Sequence, residues 1–149
     1  MKITICGSIA FLDKMRDLKK ELEKNGHDVC IPWANTTDEK GNTISEEEYY
    51  KIRKNTGITD TNHWIWVRKS EEMKGYYKKV FEADAILVAN FDKNNIGGYV
   101  GANTLMEMGL AHYFEKRIFL LNPIPEISYK EEILGMRPTI INNNLKLIN

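Results

Sequence analysis

The chain has 149 residues, 42% of them hydrophobic and 28% charged, with 21 basic residues against 21 acidic ones. A folded chain of that length hides about 70% of its unfolded surface, enough for a core without disulfide or metal staples. Zero formal net charge lacks the basic footprint of a nucleic-acid binder, so no nucleic-acid partner is expected.

The start MKITICGSIAF reads as neither a leader nor a span, and no later run approaches 18 apolar residues. No membrane partner is expected, and a cytoplasmic location is. Lys2 to Cys6 forms a β-branched run ending at Gly7-Ser8, after which Phe11, Met15, Leu18 and Leu22 recur at helical spacing up to Asn25-Gly26. Asp28 to Ile31 predicts a second strand, stopped by Pro32. Cys6 and Cys30 lie in these two apolar runs and read as free core thiols.

Residues 33–68 make a long excursion. Its stretch from Asn35 to Thr43 carries turn residues, and Ser45 with Glu48 predicts a capping box opening a helix to about Lys54. Trp33, Tyr49, Tyr50, Trp64 and Trp66 concentrate aromatic area there. Packing or a contact between copies is favoured over ligand stacking for them. Residues 69–83 predict a charged helix and Ala85 to Ala89 a strand apolar on both faces, as in a parallel sheet covered by helices. A loop from Asn90 to Gly101, a helix to about Lys116, a strand at Ile118 to Leu121, a short helix from Tyr129 and a strand near Thr139 to Ile141 complete the chain.

Five strands alternating with helices predict an α/β fold: a single-domain three-layer sandwich on a five-stranded parallel sheet, flavodoxin-like or Rossmann-like, with the excursion as an insertion. Ligands in such sheets bind beyond the carboxyl ends of the strands. The order 2-1-3-4-5 would bring together the loops that follow the first and third strands.

Those two loops hold the candidate chemistry. Between Lys93 and Glu115 only Glu107 carries a formal charge, and on a helix starting near Asn103 it shares a stripe with Leu110, Ala111 and Phe114. The helix dipole and free first-turn amides would keep a buried carboxylate there ionised. Two roles stay open on pattern alone: nucleophile or base, or a carboxylate that stabilises the first turn. Gly97, Gly98 and Gly101 would let backbone approach a phosphate or sugar oxygen. Ser8, beside Gly7 and Ile9, is assigned to ligand binding, since no nucleophile elbow surrounds it. Neither loop matches a P-loop or dinucleotide fingerprint, so no cofactor is expected. His27, His63 and His112 lack zinc-ligand spacing, so no metal is expected either.

Ile5-Cys6-Gly7-Ser8-Ile9, Ala83 to Ala89 and Gly101 to Ala111, with its Glu-x-Gly-x-Ala core, resemble the nucleoside 2-deoxyribosyltransferase superfamily, including its 2'-deoxynucleoside 5'-phosphate N-hydrolase branch. The likeness covers most of the chain outside residues 33–68. It implies that Glu107 attacks the anomeric carbon of a deoxyribosyl substrate and forms a glycosyl-enzyme, with a small-molecule nucleoside or nucleotide as partner. It also implies a homodimer or larger homo-oligomer. The slot where family members often place a catalytic Asp holds Tyr76, and Asp92 is the acid better placed past a strand end. Gly101 stands where transferases carry an Asp, which leaves Asn103 to contact the sugar. These departures weigh against transfer more than against hydrolysis. The loss at Tyr76 motivates an alternative: a nucleotide-binding sensor or accessory protein without turnover.

Overall fold

The computed structural model describes residues 1–149, the surroundings of Gly57 excepted. In chain order it contains β1 (Lys2–Cys6), α1 (Leu12–Lys24), β2 (Asp28–Cys30), β3 (Asn35–Thr37), β4 (Thr43–Ser45), α2 (Glu46–Asn55), α3 (Trp64–Glu82), β5 (Ala85–Val88), α4 (Ala102–Tyr113), β6 (Arg117–Leu120), α5 (Lys130–Gly135) and β7 (Thr139–Ile140). Two compact units divide these elements: Met1–Pro32 with Tyr77–Asn149, and Trp33–Tyr76.

The first unit is built on a five-stranded sheet of order β2-β1-β5-β6-β7, parallel throughout. This is the expected α/β architecture. Strand alternation sends Ile3 and Ile5 of β1 to one face, where they pack with Leu87, Phe119, the α1 residues Met15 and Leu22, and Leu145 and Ile148 near the chain end. The opposite face receives Thr4 and Cys6. Thr4 is fully buried, and its hydroxyl donates to the Lys79 carbonyl of α3 at 2.9 Å. Because β1 pairs with β2 on one side and β5 on the other, the chain order reverses between β1 and β5. Their following loops leave from the same edge. The loops run close: a Cβ on Gly7 would stand 3.2 Å from the Ala89 carbonyl oxygen. At the other edge Asp84 accepts from the Lys2 amide at 2.7 Å, the strand-start role its position predicts.

The second unit holds the β3–β4 hairpin, α2 and the first turns of α3. The hairpin was not foreseen, because its three-residue strands are polar except at Ile44. Asp38 closes its turn by accepting from Asn42 Nδ2 at 3.1 Å and from the amides of Asn42 and Lys40 at 2.8 and 2.9 Å, and these bonds, the Asn42 side chain's first, hold its carboxyl below its ordinary range. The predicted capping box is present: Ser45 Oγ accepts from the Glu48 amide at 3.1 Å. Ile44, Tyr49 and Ile65 form the buried cluster, with Ile52, Trp64 and Trp66 against it, so packing absorbs three of the excursion's aromatics. α3 begins five residues before the predicted helix, where His63 Nδ1 accepts from the Ile65 amide at 3.2 Å.

Candidate active site

Glu107 lies on the buried face of α4 beside Thr104, Met108 and Ala111, and only 3% of its surface is exposed. Phe114, expected on the same stripe, instead joins Phe81 and Tyr113 in an exposed aromatic group. The position follows from helix phase. Residues 104, 107, 108 and 111 stand at i, i+3, i+4 and i+7, and the i+3 place brings a carboxylate onto the side that meets β5 and β6.

Asn103 sits one turn earlier, and its Nδ2 donates to Glu107 Oε1 at 2.8 Å. The amide expected to touch the sugar therefore holds the carboxylate. Its other atom, Oδ1, is buried without a hydrogen-bond partner among the described residues.

The titratable side chains of Cys6 and Tyr77 lie in the field of Glu107. Cys6 is fully buried at the end of β1, with its Sγ 4.0 Å from the Thr4 carbonyl oxygen. Burial first, and the Glu107 charge second, push its thiol well above its ordinary value. Tyr77 of α3 rests its hydroxyl 3.6 Å from Met106 Sδ, and burial, followed by the Glu107 charge, raises its phenol as well. Sequence reasoning passed over both. Cys6 read as a core hydrophobe, and one helical residue separates Tyr77 from the expected Tyr76. Tyr76 is buried within the second unit, its ring edge-on to Trp33 at a centroid distance of 5.9 Å.

The first loop carries Gly7, Ser8 and Ile9 past the end of β1. Ser8 Oγ caps the turn at Ile9–Phe11 by accepting from the Ala10 amide at 3.4 Å, and also accepts from Lys93 Nζ at 2.8 Å. Lys93 lies 5.5 Å from the Tyr99 ring centroid, and among the described residues its ammonium enters no ion pair within 4.0 Å. The cation thus stands over the predicted ligand-binding serine.

The glycine loop after β5 is fastened to its own chain. Gly98 has φ of 64°, and a Cβ there would stand 2.5 Å from the Pro123 carbonyl oxygen. Backbone thus occupies the place where a side chain would begin, which accounts for glycine there. Asp92, expected among the catalytic groups, accepts from the Gly98 amide at 2.9 Å and so closes the loop. Gly101 caps α4 in an extended conformation. Asn90, which the sequence did not mark, is fully buried: its Oδ1 accepts from the Asn122 amide at 2.9 Å, and its Nδ2 faces the carbonyls of Gly98, Asn122 and Pro123. A cavity of about 390 Å³ opens between this loop and residues 122–126, lined by Asp92, Gly97, Gly98, Pro123 and Glu126 among others. Glu107 does not line it.

No three His, Cys, Asp or Glu side chains gather to hold a metal among the described residues, and no helix there is long and apolar enough to cross a membrane.

No family model and no curated protein matches the chain. Among solved structures it is similar to the CMP N-glycosidase BcmB of Clostridium botulinum, at 17% identity and a TM-score of 0.48, over 94% of this chain and 85% of that one. It is also similar to a 2-deoxyribosyltransferase from Bacillus psychrosaccharolyticus, at 14% identity and a TM-score of 0.45, over 80% of this chain and 71% of that one.

Proposed function

We propose that this protein cleaves or transfers the N-glycosidic bond of a deoxyribonucleoside or its 5'-monophosphate, with Glu107 as nucleophile. The observation that carries the proposal is a carboxylate 3% exposed on α4, held through Oε1 by Asn103 Nδ2 at 2.8 Å. Keeping a carboxylate so far from water costs free energy that the fold would recover by replacing it with a hydrocarbon, so its retention points to chemistry.

In the proposed reaction a Glu107 oxygen forms a bond to C1' as the bond from C1' to the base nitrogen breaks. Water, or the nitrogen of a second base, then displaces the carboxylate with retained configuration. The departing base takes a proton from a tyrosine of α3. Tyr77 is a candidate for this step, since its phenol carries a proton at neutral pH and lies in the field of Glu107. Asp92 is left to the loop it closes. Asn103 Oδ1 accepts from a sugar hydroxyl.

The test is chromatographic release of free base from a panel of deoxynucleosides and their 5'-monophosphates. Glu107→Gln should abolish release and keep the native thermal transition; full activity in that variant would refute the assignment. Saturable binding with no release by the unaltered protein would identify the binding protein without turnover.

A further inference from the structure

Lys93 is the last residue before a tight turn whose central residues, Asn94 and Asn95, have φ of 53° and 59°. Positive φ at both central positions is the hairpin geometry that asparagine adopts readily. Backbone bonds close the turn in both directions: the Lys93 amide donates to the Ile96 carbonyl at 3.1 Å, and the Ile96 amide to the Lys93 carbonyl at 2.9 Å. Behind them the Tyr99 amide donates to the Phe91 carbonyl at 3.0 Å. The backbone under Lys93 is therefore fixed. Its side chain is fixed as well, by Ser8 Oγ at 2.8 Å and the Tyr99 ring at 5.5 Å. That ring also lies against Gly101, the N-cap of α4, where a Cβ would stand 3.3 Å from it. Glu107 follows six residues after Gly101, about 9 Å along the helix axis.

Ser8 Oγ accepts from the Ala10 amide at 3.4 Å as well as from Lys93, which engages both its lone pairs and leaves its single O–H to donate. The Lys93 ammonium has three N–H donors, of which Ser8 takes one, and among the described residues it meets no carboxylate within 4.0 Å. The two side chains thus present donors and no spare acceptor. A neutral sugar hydroxyl both donates and accepts, whereas a phosphate oxygen only accepts and brings the opposite charge. Holding a lysine in one conformation costs about as much entropy as a neutral hydrogen bond to serine returns, so the arrangement gains from an anion rather than from the serine alone.

We propose that Lys93, seated on Ser8, is the specificity-determining group of this site: it binds a substrate phosphate, which makes the deoxyribonucleoside 5'-monophosphate, and not the free nucleoside, the substrate. The proposal rests on the reading of Glu107 given above. The sugar then lies along the first turns of α4, its anomeric carbon toward Glu107 and its phosphate toward the Lys93 ammonium and the Ser8 hydroxyl.

The test uses 2-deoxyribose 5-phosphate, the sugar common to every such substrate, with 2-deoxyribose as its neutral twin, titrated calorimetrically into the unaltered protein. The phosphate should bind about tenfold to a hundredfold more tightly than the neutral sugar, the worth of one charge-assisted hydrogen bond, and the preference should weaken as salt rises. Lys93→Gln can still donate to Ser8 but carries no charge, and it should lose most of that preference. Lys14→Met is the control, because Lys14 is an exposed cation 4.5 Å from the Phe91 ring of the same hairpin; it should keep the preference within about twofold. Inorganic phosphate should bind more weakly than the sugar phosphate. Equal binding of the two sugars, an undiminished preference in Lys93→Gln, an equal loss in Lys14→Met, or inorganic phosphate binding as tightly as the sugar phosphate would each overturn the proposal.

Turnover separates this proposal from the reading beneath it. In the unaltered protein kcat/KM for base release should favour the monophosphate over the nucleoside by about tenfold or more, and Lys93→Gln should bring the ratio toward one. Equal kcat/KM for the two substrates would sink the phosphate clamp and leave Glu107 in place. Base release surviving in Glu107→Gln would sink the nucleophile while the sugar-phosphate titration kept its dependence on Lys93.

Discussion

Gly98 offers a quantitative check on how the loop beside the candidate site is built. An alanine there would keep a left-handed conformation, at about 1–2 kcal/mol for an L-residue. Its Cβ would stand 2.5 Å from the Pro123 carbonyl oxygen and 3.1 Å from Asn90 Nδ2. The first is backbone and the second belongs to a buried amide, so relief requires the loops to part, at a further cost of about 1–3 kcal/mol. Gly98→Ala should therefore lose about 2–5 kcal/mol, and at roughly 2–4 °C per kcal/mol for a chain of this size its Tm should fall by about 4–20 °C. Two neighbouring glycines are internal controls. Alanine at Gly97 meets only Asp92 Oδ1 at 3.7 Å, and at Gly101 only the Tyr99 ring, nearest at 3.3 Å, from an extended backbone. Both should stay within about 1 kcal/mol of the unaltered protein. Urea and thermal unfolding of the three variants provide the measurement. If Gly98→Ala unfolds within about 2 °C of Gly97→Ala, the approach to Pro123 is not a constraint, and a ligand-contact role for Gly98 regains its force.

Asn90→Ala should cost about 2–3 kcal/mol in urea unfolding, since it orphans the Asn122 amide together with the carbonyls that Nδ2 serves. Asn90→Asp should be no better, because it places an acceptor against those carbonyls. For the raised Cys6 thiol, the unfolded chain releases its proton near the ordinary value of about 8.5 while the folded chain retains it. The unfolded state then binds fewer protons, and stability should decline above that pH by about 1.4 kcal/mol per unit. Cys6→Ala lacks this component, so the stability difference between it and the unaltered protein should shrink from pH 8 to 10; parallel curves would refute the burial of an un-ionised thiol.

The sequence by itself determined the alternation of apolar strands with helices, the two loops at the sheet edge, and Glu107 as the solitary charge of its segment. Each of these depends on spacing along the chain, at two residues for a strand and three to four for a helix, which local sequence records directly. The Ser45 cap belongs to the same class, since donor and acceptor are three residues apart. Tertiary structure alone decided what those loops do. Gly98 is required by Pro123, 25 residues away, and Asn90 by Asn122, 32 residues away, so neither partner is written near its counterpart.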